Sequence, residues 1–231
     1  MRLDKFITTT LNVSRQEAKK IIKSKKVVIN DAIITNSDYN VLDSDKVIYE
    51  SRLLVYKEHV YIMMNKPKGY VCANVDNVHQ TVFSLIDSKK YNLNKLFTVG
   101  RLDVDTTGLL LITSDGEVAH KLTSPKNDIK KVYYVKCDKE FPENANDILH
   151  KGVLLKDKDG EAYLSKPSSI ELINSNEGLI TVSEGKFHEV KRLCLSMGLK
   201  VLELHRKQIG NIMLDDNLQI GEYKEIDNIE I

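Results

Sequence analysis

From Leu3 to Leu11 the apolar residues Leu3, Phe6, Ile7 and Leu11 recur at helical spacing and predict a helix over about residues 2–11. Next, Ser14-Arg15-Gln16-Glu17 has the form of a capping box: the serine hydroxyl accepts from the amide three residues on, and the glutamate reaches back to the serine amide. It opens a second helix that runs to about Ser24. Ala18, Ile21 and Ile22 fall on one side of this helix, and Lys19, Lys20, Lys23 and Lys26 cover much of the rest. After Lys26 the pattern shortens to strand-like runs, Val27-Val28-Ile29 and Ala32-Ile33-Ile34, joined by the turn pair Asn30-Asp31. Lys46 to Tyr49 reads as the last strand of this small unit.

The register changes over Glu50 to His59, which suggests a compact module over residues 1–49, a linker over 50–59 and a larger domain over 60–231. In that domain Tyr61 to Met64, Leu109 to Thr113, Lys131 to Lys136, Leu179 to Val182 and Lys200 to Leu204 read as strands. Helices are clearest from Glu117 to Leu122 and from Phe187 to Met197. In the second of these, Phe187, Val190, Cys194 and Met197 share a face, and Gly198 ends the run. Helices and strands alternate irregularly, with hairpin-length gaps such as Gly152 to Tyr163. The expected class is therefore α+β on a mixed, largely antiparallel sheet, not a doubly wound parallel one.

With 231 residues, 42% of them hydrophobic, the chain can bury one good core, or a small domain beside a medium one. It has no apolar run of membrane-spanning length and no apolar stretch after its N-terminal charges, which leads us to expect a cytosolic protein without a membrane partner. Cys72, Cys137 and Cys194 are widely spaced and odd in number. We expect them to be reduced and mostly buried, forming neither a disulfide framework nor a zinc site. The net charge of +1 is uninformative, but its distribution is not. Residues 1–30 carry eight basic side chains (Arg2, Lys5, Arg15, Lys19, Lys20, Lys23, Lys25, Lys26) against Asp4 and Glu17. Such a local excess is the footprint of a phosphate-binding face, and a merely solvated helix face is the alternative.

Candidate chemistry centres on residues 100–108, Gly-Arg-Leu-Asp-Val-Asp-Thr-Thr-Gly, held between the apolar runs Leu96–Val99 and Leu109–Ile112. A polar, glycine-bounded loop between buried strands is a usual place for reactive groups. Here it offers two carboxylates and an arginine. A tight turn, with Asp105 or Thr106 bonded to backbone and Arg101 in water or paired with Asp105, would use the same residues.

This nonapeptide resembles the catalytic motif of the pseudouridine synthases of the small ribosomal subunit and related families. Two further stretches support the resemblance: Asn65-Lys66-Pro67-Lys68-Gly69-Tyr70-Val71-Cys72, and Glu184-Gly185-Lys186-Phe187-His188-Glu189-Val190-Lys191-Arg192. All three occur in the family's order, and the likeness spans essentially the whole chain. The N-terminal module resembles the compact RNA-binding module named after ribosomal protein S-four, whose basic second helix is expected to lie on RNA.

The resemblance implies that Asp103 is the required carboxylate, acting as nucleophile or base. It implies Lys191 as the cation that keeps Asp103 charged, and Tyr133, in Lys131-Val132-Tyr133-Tyr134-Val135, as the ring that stacks on the flipped uracil. Tyr134 points to the opposite face of that strand and is expected in the core. Arg101 resembles the family arginine that fills the vacancy left by the flipped base. Arg2, Arg15, Lys19, Lys20, Lys23 and Lys26 are RNA-contact candidates in the basic module. Lys66, Lys68, Lys126, Lys130 and Arg206 are candidates on loops around the site, with solvated charge as the alternative for each. His188 lacks a second ligand at metal spacing and is read as positional. Glu189 stands where glutamine is usual, which puts a direct RNA contact there in doubt.

The implied reaction has no redox change and needs no cofactor. Its implied partner is ribosomal RNA or an assembling small subunit, with uridine 516 of 16S rRNA as target, and nothing in the sequence demands more than a monomer. The alternatives are a large-subunit paralogue acting on 23S rRNA, a non-catalytic RNA-binding assembly factor, and a glycosidic-bond hydrolase that uses Asp103 and Asp105 as an acid/base pair.

Overall fold

The structure is a computed structural model that describes residues 1–157 and 159–229. The expected domain end at 231 therefore lies outside the described residues. The chain divides into two compact units, one of residues 1–59 with 87–93, the other of residues 60–86 with 94–231.

In the smaller unit α1 (Leu3–Thr10) and α2 (Arg15–Lys23) pack beside a four-stranded sheet of β1 (Val27–Ile29), β2 (Ala32–Ile33), β3 (Val47–Tyr49) and β4 (Arg52–Leu54), in the order β2-β1-β3-β4. The capping box forms as the sequence dictates: Glu17 N donates to Ser14 Oγ at 3.2 Å, and Ser14 N donates to Glu17 Oε2 at 2.9 Å. Leu3, Phe6, Ile7, Ala18 and Ile22 join Val27, Ile29, Val47 and Leu54 in the core, leaving Lys19, Lys20 and Lys23 exposed. Asn30 and Asp31 take positive φ angles of 47° and 68°, as a two-residue hairpin turn requires.

The strand ending at Tyr49 is not the last of this unit. Glu50 and Ser51 repeat the same turn, with φ of 47° and 67°, and β4 pairs back along β3. The stretch assigned to the linker thus holds a strand whose Leu54 is buried in the small core.

The larger unit contains, in chain order, β5 (Tyr61–Lys66), β6 (Phe97–Thr98), β7 (Thr107–Thr113), α3 (Gly116–Thr123), β8 (Lys131–Cys137), α4 (Ala145–His150), β9 (Leu154–Lys156) and β10 (Ala162–Leu164). There follow β11 (Ser169–Leu172), β12 (Glu177–Val182), α5 (Glu189–Ser196), β13 (Val201–Ile209), β14 (Ile212–Met213) and β15 (Tyr223–Ile226). β9 and β10 pair antiparallel in the stretch that the sequence marks as a gap of hairpin length. The main sheet runs β11-β12-β8-β13-β7-β5-β15, with β14 on β13 and β6 on β7. Its pairings are antiparallel except for β13 with β7, the mixed and largely antiparallel class the sequence predicts.

All seven residues of β7 are buried, so this strand is covered on both faces. β8 alternates instead: Lys131, Tyr133, Val135 and Cys137 face inward. Tyr134, expected in the core, lies on the other face and is half-buried, because that side of β8 is left partly open. A register shift between Arg206 and Gln208 in β13 carries the inward set from Leu204 and Arg206 to Ile209. The second predicted helix starts at Glu189, two residues later than its apolar pattern suggests; Phe187 precedes it, is exposed, and stacks on the His188 ring at 3.7 Å. The three cysteines are free and buried.

Candidate active site

The loop of residues 100–106 is fixed from beneath by the last residue of β5 and the stretch that follows it. Lys66 is fully buried, and its ammonium donates to three carbonyl oxygens: Pro67 O at 3.0 Å, Asp103 O at 3.1 Å and Thr106 O at 2.9 Å. Gly69 N donates to Val104 O at 2.7 Å, and Leu102 N to the Cys72 thiol at 3.4 Å. Within the loop, Thr106 N donates to Asp103 O at 3.1 Å. Gly108 then lets β7 pass against β13: its φ is +101°, and a Cβ there would meet the Arg206 carbonyl oxygen at 2.3 Å. Rigid backbone on both sides therefore sets where the two loop carboxylates point.

They point at one cation. Lys191 Nζ lies 2.9 Å from Asp103 Oδ2 and 2.6 Å from Asp105 Oδ1. Burial works against the charge on Lys191, but its hydrogen bonds to Asp105 and Asp103 outweigh that and raise its pKa. Asp105 is held below the usual carboxylate range: burial pushes it up, and the hydrogen bond and charge of Lys191 more than reverse this. His188, held in a left-handed conformation at φ 52°, brings Nε2 to 3.5 Å from Asp103 Oδ1. The expected Asp103–Lys191 pair is present, and Asp105 shares its cation.

Beside Asp103 a cavity of about 150 Å³ opens into the unit, lined by Leu102, Thr106, Tyr133, Val182, Leu204 and Arg206 among others. A cavity of about that volume is known to hold a single benzene-sized ring. Tyr133 is 8% exposed, with its hydroxyl 3.5 Å from Arg206 Nη1. Asp103 and Tyr133 line this cavity, and Lys191, outside its lining, joins them through its bond to Asp103.

The remaining candidates divide. Arg101 lines the mouth of the cavity and is exposed; among the described residues it forms no ion pair with Asp105, whose cation is Lys191. Arg15, Lys19, Lys20, Lys23, Lys68, Lys126 and Lys130 are solvent-accessible. Lys66 is not a phosphate contact, since its ammonium is buried among carbonyls. Arg206 is not a loop cation either: it sits on β13, 4% exposed, donating from Nε to Leu109 O at 2.8 Å. Arg2 is paired with Asp4 and Asp38, and Lys26 with Glu50 at 2.5 Å, so both are partly neutralised within the module.

Sequence reasoning missed a polar wall of the cavity, made of Lys131, Glu184 and Glu189. Lys131 is buried and donates to Ser183 O at 3.2 Å and Glu184 O at 2.6 Å. Burial, and then the neighbouring Glu184, push the Glu189 carboxyl up to about 7. The substitution for glutamine at Glu189 was the available signal.

A two-unit chain whose larger unit carries this carboxylate cleft and whose smaller unit has an exposed basic helix fits a class of RNA-modifying enzymes. Residues 60–196 match the family model for RNA pseudouridylate synthase, and residues 1–47 match that for the S4 domain. The chain belongs to the RNA pseudouridylate synthase family, isomerases that convert uridine in RNA to pseudouridine. Among its relatives are the proteins named ribosomal small subunit pseudouridine synthase A of Haemophilus influenzae and of Escherichia coli K12. The first is 40% identical over 100% of this chain and 98% of the relative, the second 39% identical over the same shares. A solved structure described as a pseudouridylate synthase matches with a TM-score of 0.68 and 38% identity over 98% of this chain and 96% of its own.

Proposed function

We propose that this chain isomerises one uridine of small-subunit ribosomal RNA, uridine 516 of 16S rRNA, either free or in an assembling subunit in the cytoplasm. The observation that carries the reading is the Asp103 carboxylate, 2.9 Å from Lys191 Nζ at the edge of a one-ring cavity that Tyr133 lines. The reaction breaks the N1–C1′ bond, turns the base, forms the C5–C1′ bond, moves a proton off C5 and leaves one on N1. Atoms and electrons balance within the nucleoside, so no redox partner enters.

Asp103 is the carboxylate that attacks or deprotonates the nucleoside, and Lys191, 2.9 Å away, is the cation paired with it. A paired uridine must leave its stack first, at a few kcal/mol. Tyr133 recovers part of this by stacking, about 1–3 kcal/mol. Arg101, exposed at the mouth, fills the vacated position with its flat guanidinium. Arg15, Lys19, Lys20 and Lys23 hold phosphates of the flanking RNA, and we propose that the smaller unit forms the docking module and the larger unit the catalytic domain.

The hydrolase alternative loses its main support, because Lys191 ties up both carboxylates and Asp105 is held in its charged form, unsuited to donating a proton. The test is modification mapping of both large rRNAs in cells lacking this chain, rescued by wild type or by Asp103→Asn. One 16S uridine should lose its modification and regain it with wild type alone. Loss at a 23S position would reassign the enzyme to the large subunit, and no loss at all would refute the reading.

A further inference from the structure

Buried polar side-chain atoms rarely lack partners, so each one that does asks for an explanation. Among the described residues six such atoms have no protein partner, and three of them, Thr106 Oγ1, Glu189 Oε2 and Arg206 Nη2, belong to side chains lining the cavity beside Asp103. These residues are 1%, 5% and 4% exposed. Two of the three atoms have opposite character: Arg206 Nη2 can only donate, and Glu189 Oε2, on a carboxyl that lines the cavity, accepts when that carboxyl is ionised.

The rest of each side chain is already committed. Arg206 spends Nε on Leu109 O and turns Nη1 toward the Tyr133 hydroxyl. The Glu189 carboxyl feels the neighbouring Glu184, and Glu184 is in turn held by Lys166 N at 3.0 Å and by Lys186 Nζ at 3.4 Å. Lys131 clamps the Ser183–Glu184 backbone and lies within electrostatic range of both Arg206 and Glu189. Tyr163, with Lys186 3.5 Å over its ring, also feels Glu189. Both spare atoms are therefore held in place.

We infer that Glu189 and Arg206 read the imide edge of the flipped uracil, with Glu189 Oε2 accepting from N3–H and Arg206 Nη2 donating to an adjacent ring carbonyl. This rests on the pseudouridine synthase reading and adds the groups that select the base. A phosphate does not fit these atoms, since it needs donors and Glu189 and Glu184 would repel it. With Glu189 ionised, cytosine does not fit either: it presents a lone pair at N3, opposite the Glu189 oxygen. Glutamine at this position would also offer a carbonyl oxygen, so a Glu189→Gln variant preserves the acceptor.

The test uses the full chain and 16S rRNA fragments carrying uridine or N3-methyluridine at the modified position, with kcat/KM measured for wild type, Glu189→Gln and Glu189→Ala. Wild type should prefer uridine over N3-methyluridine, and Glu189→Gln should stay within a few-fold of wild type on uridine. Glu189→Ala should lose roughly 10- to 100-fold on uridine and much less on the methylated substrate, so that the preference collapses. Equal losses on both substrates, or no loss on uridine, would overturn the inference and leave Glu189 a structural carboxyl. Arg206→Lys supplies an arm independent of how the alanine variant folds. Its loss relative to wild type should shrink on either 2-thiouridine or 4-thiouridine, whose sulfur is a poor acceptor, and an unchanged loss on both would overturn the Arg206 contact. Wild type inactive on the uridine fragment would instead sink the underlying reading.

Discussion

Replacing Lys66 by methionine keeps the length of the side chain and removes the ammonium that ties Pro67, Asp103 and Thr106 together. Three hydrogen bonds to a charged donor are worth about 1.5–3 kcal/mol each. Against their loss stands relief from burying an ammonium, itself several kcal/mol, the same burial that lowers the Lys66 pKa. Asp103 O also keeps the amide of Thr106 at 3.1 Å, which softens the change at that carbonyl. The expected net destabilisation is about 2–4 kcal/mol, a fall in melting temperature of roughly 4–16 °C for a unit of this size.

Activity should suffer more than stability, because a shift of about 1 Å in the Asp103 backbone can lower turnover about 100-fold. RNA affinity should stay within about threefold, since the ammonium reaches no solvent. Thermal melts, turnover and RNA titration in graded salt read these three quantities separately. The reasoning fails if Lys66→Met melts like wild type while RNA binding weakens tenfold and its salt slope drops by about one, the signature of a lost phosphate contact.

Glu189 should make stability depend on pH. Its folded pKa of about 7 lies above the ordinary 4.5, so the folded state holds the proton more tightly and loses stability as pH rises from 4.5, fully above 7. Urea unfolding should therefore show Glu189→Gln gaining on wild type between pH 5 and 8.5, by on the order of 3 kcal/mol; a pH-independent difference would refute it. Gly108→Ala should destabilise the larger unit by about 3 kcal/mol or more, read from the soluble fraction and melting temperature, because neither its φ nor the Arg206 carbonyl leaves room for a Cβ. Changing Lys19, Lys20 and Lys23 together to glutamine should weaken RNA binding and cut its salt slope by about two to three, while the melting temperature stays within a few degrees.

What was legible in the sequence was what local patterns specify. Ser14 and Glu17 satisfy each other within one helical turn, and Asn30-Asp31 announces a turn by residue type, so both could be placed before any tertiary contact was known. Glu50-Ser51 adopts the same backbone without residues that advertise it, and β4 was lost to the linker for that reason. The Asp103–Lys191 pair came from motif resemblance, since its partners lie 88 residues apart and no periodicity links them. Lys66 and Arg206 were misjudged because charge ordinarily signals exposure. One is buried by a strand two residues longer than its apolar run, the other turned inward by a strand whose register shifts beside it. The polar wall of Lys131, Glu184 and Glu189 exists only when β8, β12 and α5 come together, beyond the reach of any local pattern.

Turnover by purified protein on a 16S rRNA fragment, wild type against Asp103→Asn, with pseudouridine read at single-nucleotide resolution, tests the central claim most directly. Wild type should convert one uridine, and the asparagine variant should be slower by roughly 100- to 10,000-fold while binding the fragment as tightly. An asparagine variant that makes pseudouridine at the wild-type rate would contradict the account.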